Sequence, residues 1–108
     1  MFSMLSKIKS CFSENRVLYT SHSRKEMDDE EFGKIKEHEV FEAIQDCEII
    51  ENYSDDKPYP SVLIYGISKH KRPLHIVCAY SNEDDKTIIV TVYQPNPDLW
   101  DDYRRRKV

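Results

Sequence analysis

The sequence predicts an α+β domain in which N-terminal helices pack on one face of a four-stranded antiparallel sheet. Apolar residues recur at helical spacing only in the first half of the chain. From about residue 48 the period changes, and the β-branched and aromatic runs CEIIENY, SVLIYGIS, PLHIVCAYS and TIIVTVYQ follow one another. Turn chemistry separates them, as in SDDKPYP and NEDDK, so the runs read as an antiparallel meander, and helices before strands is the order of an α+β fold. A chain of 108 residues is one domain, here 1–108, with a helix and a short extended piece over 1–20 and the core over 21–108.

Phe2, Leu5, Ile8 or Lys9, and Phe12 place an amphipathic helix over residues 3–13. Val17–Tyr19 is extended. Thr20 or Ser21 can then cap a helix running to about Glu31, because a hydroxyl accepts from the unpaired N–H groups of a first turn. Met27 is its main apolar anchor. Gly33 breaks the chain, and Val40, Ala43, Ile44 and Cys47 line the face of a third helix from about Glu37 to Asp46, which belongs against the sheet. After the strands, PNP (95–97) ends the ladder because proline cannot donate to it, and Trp100 with Tyr103 offers a small aromatic latch.

The net charge of −4 conceals segregation: EMDDEE and NEDD are acidic, KHKR and RRRK basic. Charge alone therefore neither names nor excludes a polyanionic partner. The three cysteines, Cys11, Cys47 and Cys78, lack any C-x-x-C pairing, which points to a reducing cytoplasm and away from a disulfide framework or a zinc cage. MFSMLSKIKSCF is too short and too charged for a secretory segment, and no run is long enough to span a bilayer, so no membrane partner is expected. Gly33 and Gly66 begin no phosphate-binding loop, and His70 with His75 is the only near ligand pair, with nothing to complete it; no metal and no cofactor are expected.

His75 is the residue that asks for an explanation, an ionisable ring inside an apolar strand. If the NEDDK loop closes a hairpin symmetrically, Ser81 faces Thr87, Val77 faces Thr91 and His75 faces Tyr93. One face then collects Leu74, Ile76, Cys78, Tyr80, Ile88, Val90 and Val92 as a core surface. The other collects His75, Val77, Ala79, Ser81, Thr87, Ile89, Thr91 and Tyr93, a shallow polar surface with His75 directed away from the core. The plain alternative is that His75 and Tyr93 satisfy each other on a half-exposed sheet, a cross-strand pair worth about 0.2–1 kcal/mol.

The segments HSR (22–24), EVFEAI (39–44), IIENYSDDKPYPS (49–61), RPLHIVCA (72–79), TVYQP (91–95) and Trp100, in this order, resemble domain-of-unknown-function family 4258 over about residues 20–106. That family is similar to the RelE and BrnT type ribonuclease toxins. The resemblance implies a RelE-like fold with a basic, open sheet face for RNA, and it carries the family's helix histidine onto His22, its arginine onto Arg24, its strand histidine onto His75 and its T-x-Y element onto Thr91 and Tyr93. The terminal basic cluster falls on Arg104, Arg105 and Arg106. Many relatives have arginine where this chain has Glu26, a charge reversal beside the expected site.

Metal-free RNA cleavage needs a base for the 2′-hydroxyl, an acid for the leaving oxygen and cations for the charge gathering on phosphorus. His22 and His75 suit the proton roles, since an unperturbed imidazole titrates near about 6.5. Tyr93 can donate to phosphate or stack on a base, Arg24 can grip phosphate with two donors, and Thr91 and Arg104–Arg106 add weaker contacts. The expectation is a toxin-like, metal-independent endoribonuclease of a toxin–antitoxin system, acting on RNA, ribosome-bound messenger included, and covered by a protein antitoxin. The alternative is a non-catalytic RelE-like protein-binding module, which Glu26 favours.

Overall fold

Ser3 caps the first helix, α1 (Met4–Ser13), its hydroxyl accepting from the Ser6 N–H at 3.1 Å. The computed structural model describes residues 3–108; Phe2, assigned above to the apolar stripe of this helix, lies outside them. Ile8, Cys11 and Phe12 form the buried face of α1. Asn15, in the left-handed region at φ 59°, turns the chain into β1 (Val17–Tyr19), a conformation that asparagine tolerates well. Thr20, one of the two expected caps, accepts from Ser23 N–H at 3.1 Å and starts α2 (Ser21–Asp29), which buries Ser23 and Met27.

The third helix, α3 (Glu37–Gln45), buries Val40, Ala43 and Ile44, and the Glu39 carboxylate reaches back to the Lys36 N–H at 2.8 Å. It lies so close to the strand beneath it that a Cβ at Gly66 would stand 2.1 Å from the Ala43 carbonyl oxygen. Only glycine permits that approach.

Four strands follow as expected: β2 (Cys47–Tyr53), β3 (Ser61–Ile67), β4 (Pro73–Ser81) and β5 (Lys86–Tyr93), all antiparallel neighbours. The sheet itself is not the predicted four-stranded antiparallel one. It has five strands in the order β1-β5-β4-β3-β2, and β1 pairs parallel with β5. Leu18 stands opposite Ile88, and the junction is bracketed by Thr87 N–H to Arg16 O and Thr20 N–H to Ile89 O, each 3.1 Å. Three residues are too few to show a period, and their partner lies some seventy positions away, so the VLY segment carries no local signal of being a sheet edge.

The hairpin register also departs from the symmetric one. His75 pairs with Tyr93 and Val77 with Thr91 as expected, but Cys78 then pairs with Ile89, leaving Val90 as the extra residue of a β-bulge. Ser81 consequently faces Lys86 rather than Thr87. The bulge reverses the alternation over the first half of β5. Ile89 and Thr87 become fully buried, while Ile88 is half-buried and Val90 exposed, opposite to the faces assigned from the symmetric loop. Thr87 enters the interior with its hydroxyl oxygen unpaired.

Helix side chains and one sheet face share a core of Ile8, Phe12, Met27, Ile35, Val40, Ile44, Val62, Ile64, Leu74, Ile76, Cys78, Ile89 and Val92. The opposite sheet face is covered at one end by a separate two-stranded ribbon, β6 (Trp100–Asp101) and β7 (Arg105–Arg106). Its turn takes Asp102 and Tyr103 through φ 53° and 58° and is closed by Arg104 N–H to Asp101 O at 2.9 Å. For a tyrosine this left-handed conformation costs about 1–2 kcal/mol, so contacts elsewhere must hold it.

Candidate functional site: a histidine beneath a C-terminal ribbon

Odd-numbered residues of β4 and their β3 partners build the face opposite the helices. His75 is flanked by Tyr65 on β3 and Tyr93 on β5, with Val77 and Leu63 one step along. The imidazole and the phenol do stand side by side. The imidazole does not open to solvent, being 0 % exposed, while the phenol is half-buried. Trp100 closes the site from above, its ring 4.4 Å from the imidazole centroid and nearly perpendicular to it, a favourable edge-to-face arrangement.

Both ring nitrogens of His75 are occupied. Nε2 lies 2.6 Å from the Tyr103 carbonyl oxygen, which can only accept, so Nε2 carries the proton. In the neutral ring Nδ1 is then an acceptor, and the Tyr93 hydroxyl donates to it across 3.0 Å. Burial depresses the His75 pKa below its ordinary value, only partly opposed by the bond to Tyr103 and by Glu51. Burial pushes the Tyr93 phenol up to about 12. The pair is a neutral, satisfied unit.

The arginines of the ribbon are committed to carboxylates on β2. Arg106 Nε meets Glu51 Oε2 at 2.9 Å and its Nη2 meets Oε1 at 3.1 Å, a two-pronged pair. That contact holds the Glu51 carboxyl below its usual range and raises the Arg106 guanidinium. Arg104 Nε bonds Glu48 Oε1 at 2.6 Å, with Asp102 Oδ2 2.7 Å from Nη1. The same two guanidiniums lie over aromatic rings, Arg106 4.7 Å from Trp100 and Arg104 4.9 Å from Tyr65. Such exposed cation–π contacts contribute about 0.5–1 kcal/mol each. Arg105, between them, is exposed.

The remaining expected residues sit elsewhere. His22 opens α2 and joins Tyr93 in lining a groove of about 410 Å³, whose other walls are Lys25, Glu26, Asp29, Glu30, Glu31 and Val92. Carboxylates dominate this groove. His22 Nε2 is 3.4 Å from Glu26 Oε1, within ion-pair range, yet that oxygen is buried with no hydrogen bond. Arg24 turns to another groove, pairing with Glu37 Oε2 at 2.7 Å and stacking 5.1 Å from the Tyr19 ring. Thr91 lies on the His75 face, half-buried opposite Val77. His75, Tyr93 and the ribbon are brought together; His22 reaches only the outer side of Tyr93, and Arg24 does not join them.

Sequence reasoning missed Arg72, the first residue of the R-P-L-H element. Its nearly buried guanidinium bonds Gln94 Oε1 at 2.7 Å, the Lys34 carbonyl at 3.0 Å, Glu39 Oε1 at 3.2 Å and the Gly33 carbonyl. It ties the loop before α3, the helix itself and the end of β5 into one unit. It also missed Glu48 and Glu51, whose signal was the matching arginine pair at the other end of the chain.

No curated protein and no solved structure matches the chain. A family model described as a domain of unknown function (DUF4258) matches residues 19–94, from the last residue of β1 to just past β5. The match includes His22, Arg24, Glu48, Glu51, Tyr65, Arg72, His75, Thr91 and Tyr93, and ends before the ribbon. Covering most of the sequence, it shows that the chain belongs to the DUF4258 family.

Proposed function

We propose that this chain is a non-catalytic protein-binding module, working without metal or cofactor. The supporting observation is the state of His75: neutral, fully buried, and engaged at both nitrogens by Tyr93 and the Tyr103 carbonyl. A general base must reach the proton it removes, and this one reaches only its own fold. Three of the four arginines expected to offset phosphorane charge are also engaged, Arg24 by Glu37, Arg104 by Glu48 and Arg106 by Glu51, and Arg105 alone is left exposed. Lifting the ribbon would not create an RNA site, because it would remove the arginines and leave the two carboxylates. Three free thiols fit a cytoplasmic setting, and no helix among the described residues is long and apolar enough to cross a membrane.

A toxin-type endoribonuclease acting on messenger RNA, restrained by an antitoxin, is the second reading. In its favour is the 3.0 Å contact between His75 and Tyr93, two groups able to exchange a proton. The two readings separate in one experiment. Purified full-length protein is incubated with single-stranded RNA, with and without ribosomes, across a range of salt concentrations. A module leaves the RNA intact and shows no steep salt-dependent binding. Cleavage that disappears in His75→Ala, with growth arrest on expression, would overturn the module reading.

A further inference from the structure

We infer that the sheet face beneath the ribbon is a groove for a basic, aromatic-bearing peptide of a partner protein, and that the C-terminal ribbon is its resident occupant in cis. This rests on the reading of the chain as a protein-binding module and names the chemistry of its partner.

Every groove residue, Glu48, Glu51, Tyr65, His75 and Tyr93, falls within the matched segment 19–94, whereas the covering residues Trp100, Tyr103, Arg104 and Arg106 fall outside it. The covering piece is structurally separate as well. β6 and β7 pair with each other and with no strand of the main sheet, and they follow a linker whose Pro95 and Pro97 interrupt the backbone ladder. An isolated two-stranded ribbon is marginal in water at best. Its order therefore depends on docking.

The docking contacts are those of a ligand. One aromatic ring, Trp100, fills the space over His75, the Arg104 guanidinium lies over Tyr65 of the sheet, and the heads of Arg104 and Arg106 meet the rim carboxylates Glu48 and Glu51, while Arg106 over Trp100 is a contact within the ribbon. Tyr103 adds a ring 6.1 Å from Tyr65 and the one backbone acceptor for His75. A segment with an aromatic residue and arginines four and six positions further on, the spacing of Trp100, Arg104 and Arg106, reproduces every charged contact. Such a partner competes with an occupant tethered by a short linker, and tethering gives that occupant a high effective concentration. The wild-type chain is thus largely closed, and its apparent affinity for a free peptide is reduced by the open fraction.

The test uses the full chain and a fluorescent synthetic peptide of residues 97–108, PDLWDDYRRRKV. Trp100→Ala leaves a vacancy over His75 that the peptide's tryptophan can fill. A second variant, Arg104→Glu with Arg106→Glu, loosens the ribbon through exposed positions and keeps the core untouched. Both are expected to bind the peptide about tenfold or more tightly than wild type, in line with release of a mostly closed state. Glu51→Arg added to Trp100→Ala should abolish the gain, and so should reversing both arginines in the peptide.

Equal affinity in wild type and both opened variants overturns the groove, as does undiminished binding of the reversed peptide. Dimerisation of Trp100→Ala by ribbon exchange, read as a doubled mass in light scattering, replaces the partner peptide with a second copy. A parallel titration with a single-stranded RNA 20-mer distinguishes the levels. RNA bound or cut by the opened chain overturns the module reading itself, whereas binding of neither probe overturns the groove alone.

Discussion

Removing the His75 ring should cost far more than a surface histidine would. The side chain is fully buried, gives one hydrogen bond to the Tyr103 carbonyl, receives one from Tyr93, and packs edge-on against Trp100. Each hydrogen bond contributes about 1 kcal/mol net, and the ring contact about 0.5–1.5 kcal/mol. The void left in an otherwise closed site brings His75→Ala to about 3–4 kcal/mol. Tyr93→Phe deletes only the hydroxyl and leaves Nδ1 of a buried ring without its donor, a loss of about 1–2 kcal/mol. The two changes remove the same hydrogen bond, so the double variant should fall short of their sum by about 1 kcal/mol. Urea unfolding measures this directly, because Trp100 is the sole tryptophan and lies on the imidazole. A cost for His75→Ala below about 1 kcal/mol, with no coupling to Tyr93→Phe, would refute the reasoning, because it is what a solvent-facing ring gives.

Arg72 gives a second prediction. Arg72→Ala leaves the Glu39 carboxylate with only its bond to the Lys36 N–H and releases the Gly33 and Lys34 carbonyls, and thermal unfolding should show a loss of about 1.5–3 kcal/mol. Arg72→Lys should not restore it, since an ammonium cannot serve four acceptors in one plane. Stability should also depend on pH through His75. Its folded pKa is depressed, so below the ordinary value of 6.5 the unfolded chain binds the extra proton first, and stability falls as pH is lowered through that window. The slope reaches at most about 1.4 kcal/mol per pH unit for one group. His75→Gln should flatten the wild-type curve between pH 7 and 5, and an unchanged slope would contradict the burial. Glu51, held low by Arg106, contributes in a separate window below its ordinary 4.5, where its protonation weakens the ribbon clamp.

Strong local signals made much of the fold legible. The β2 run CEIIENY and the β4 run PLHIVCAYS coincide with the observed strands, since their β-branched residues and flanking turns are local properties. The His75–Tyr93 pairing followed from counting along one hairpin. What failed was not encoded locally. The Val90 bulge inverted the faces of Thr87 and Ile89, and a bulge shows no periodicity of its own. The parallel edge strand β1 depends on a partner at the far end of the chain.

What covers the site was hidden for a related reason. His75 sits on the expected face, but what covers it comes from a segment whose arginines read as phosphate contacts. Their carboxylate partners, Glu48 and Glu51, lie more than fifty residues away. Trp100 and Tyr103 were legible as an aromatic latch, though not as one closing on His75. Arg72 was visible as a motif residue. Its role emerges only when Gly33, Lys34, Glu39 and Gln94 converge on it.

The most direct measurement is the nitrogen chemical shifts of the His75 ring in ¹⁵N-labelled full-length protein, followed from pH 8 to pH 5. A ring sealed beneath the ribbon has Nε2 protonated and Nδ1 bare at neutral pH, holds that tautomer through 6.5, and exchanges its proton slowly. An imidazole that titrates near 6.5 with both tautomers averaged would place His75 in solvent and return the face to catalysis.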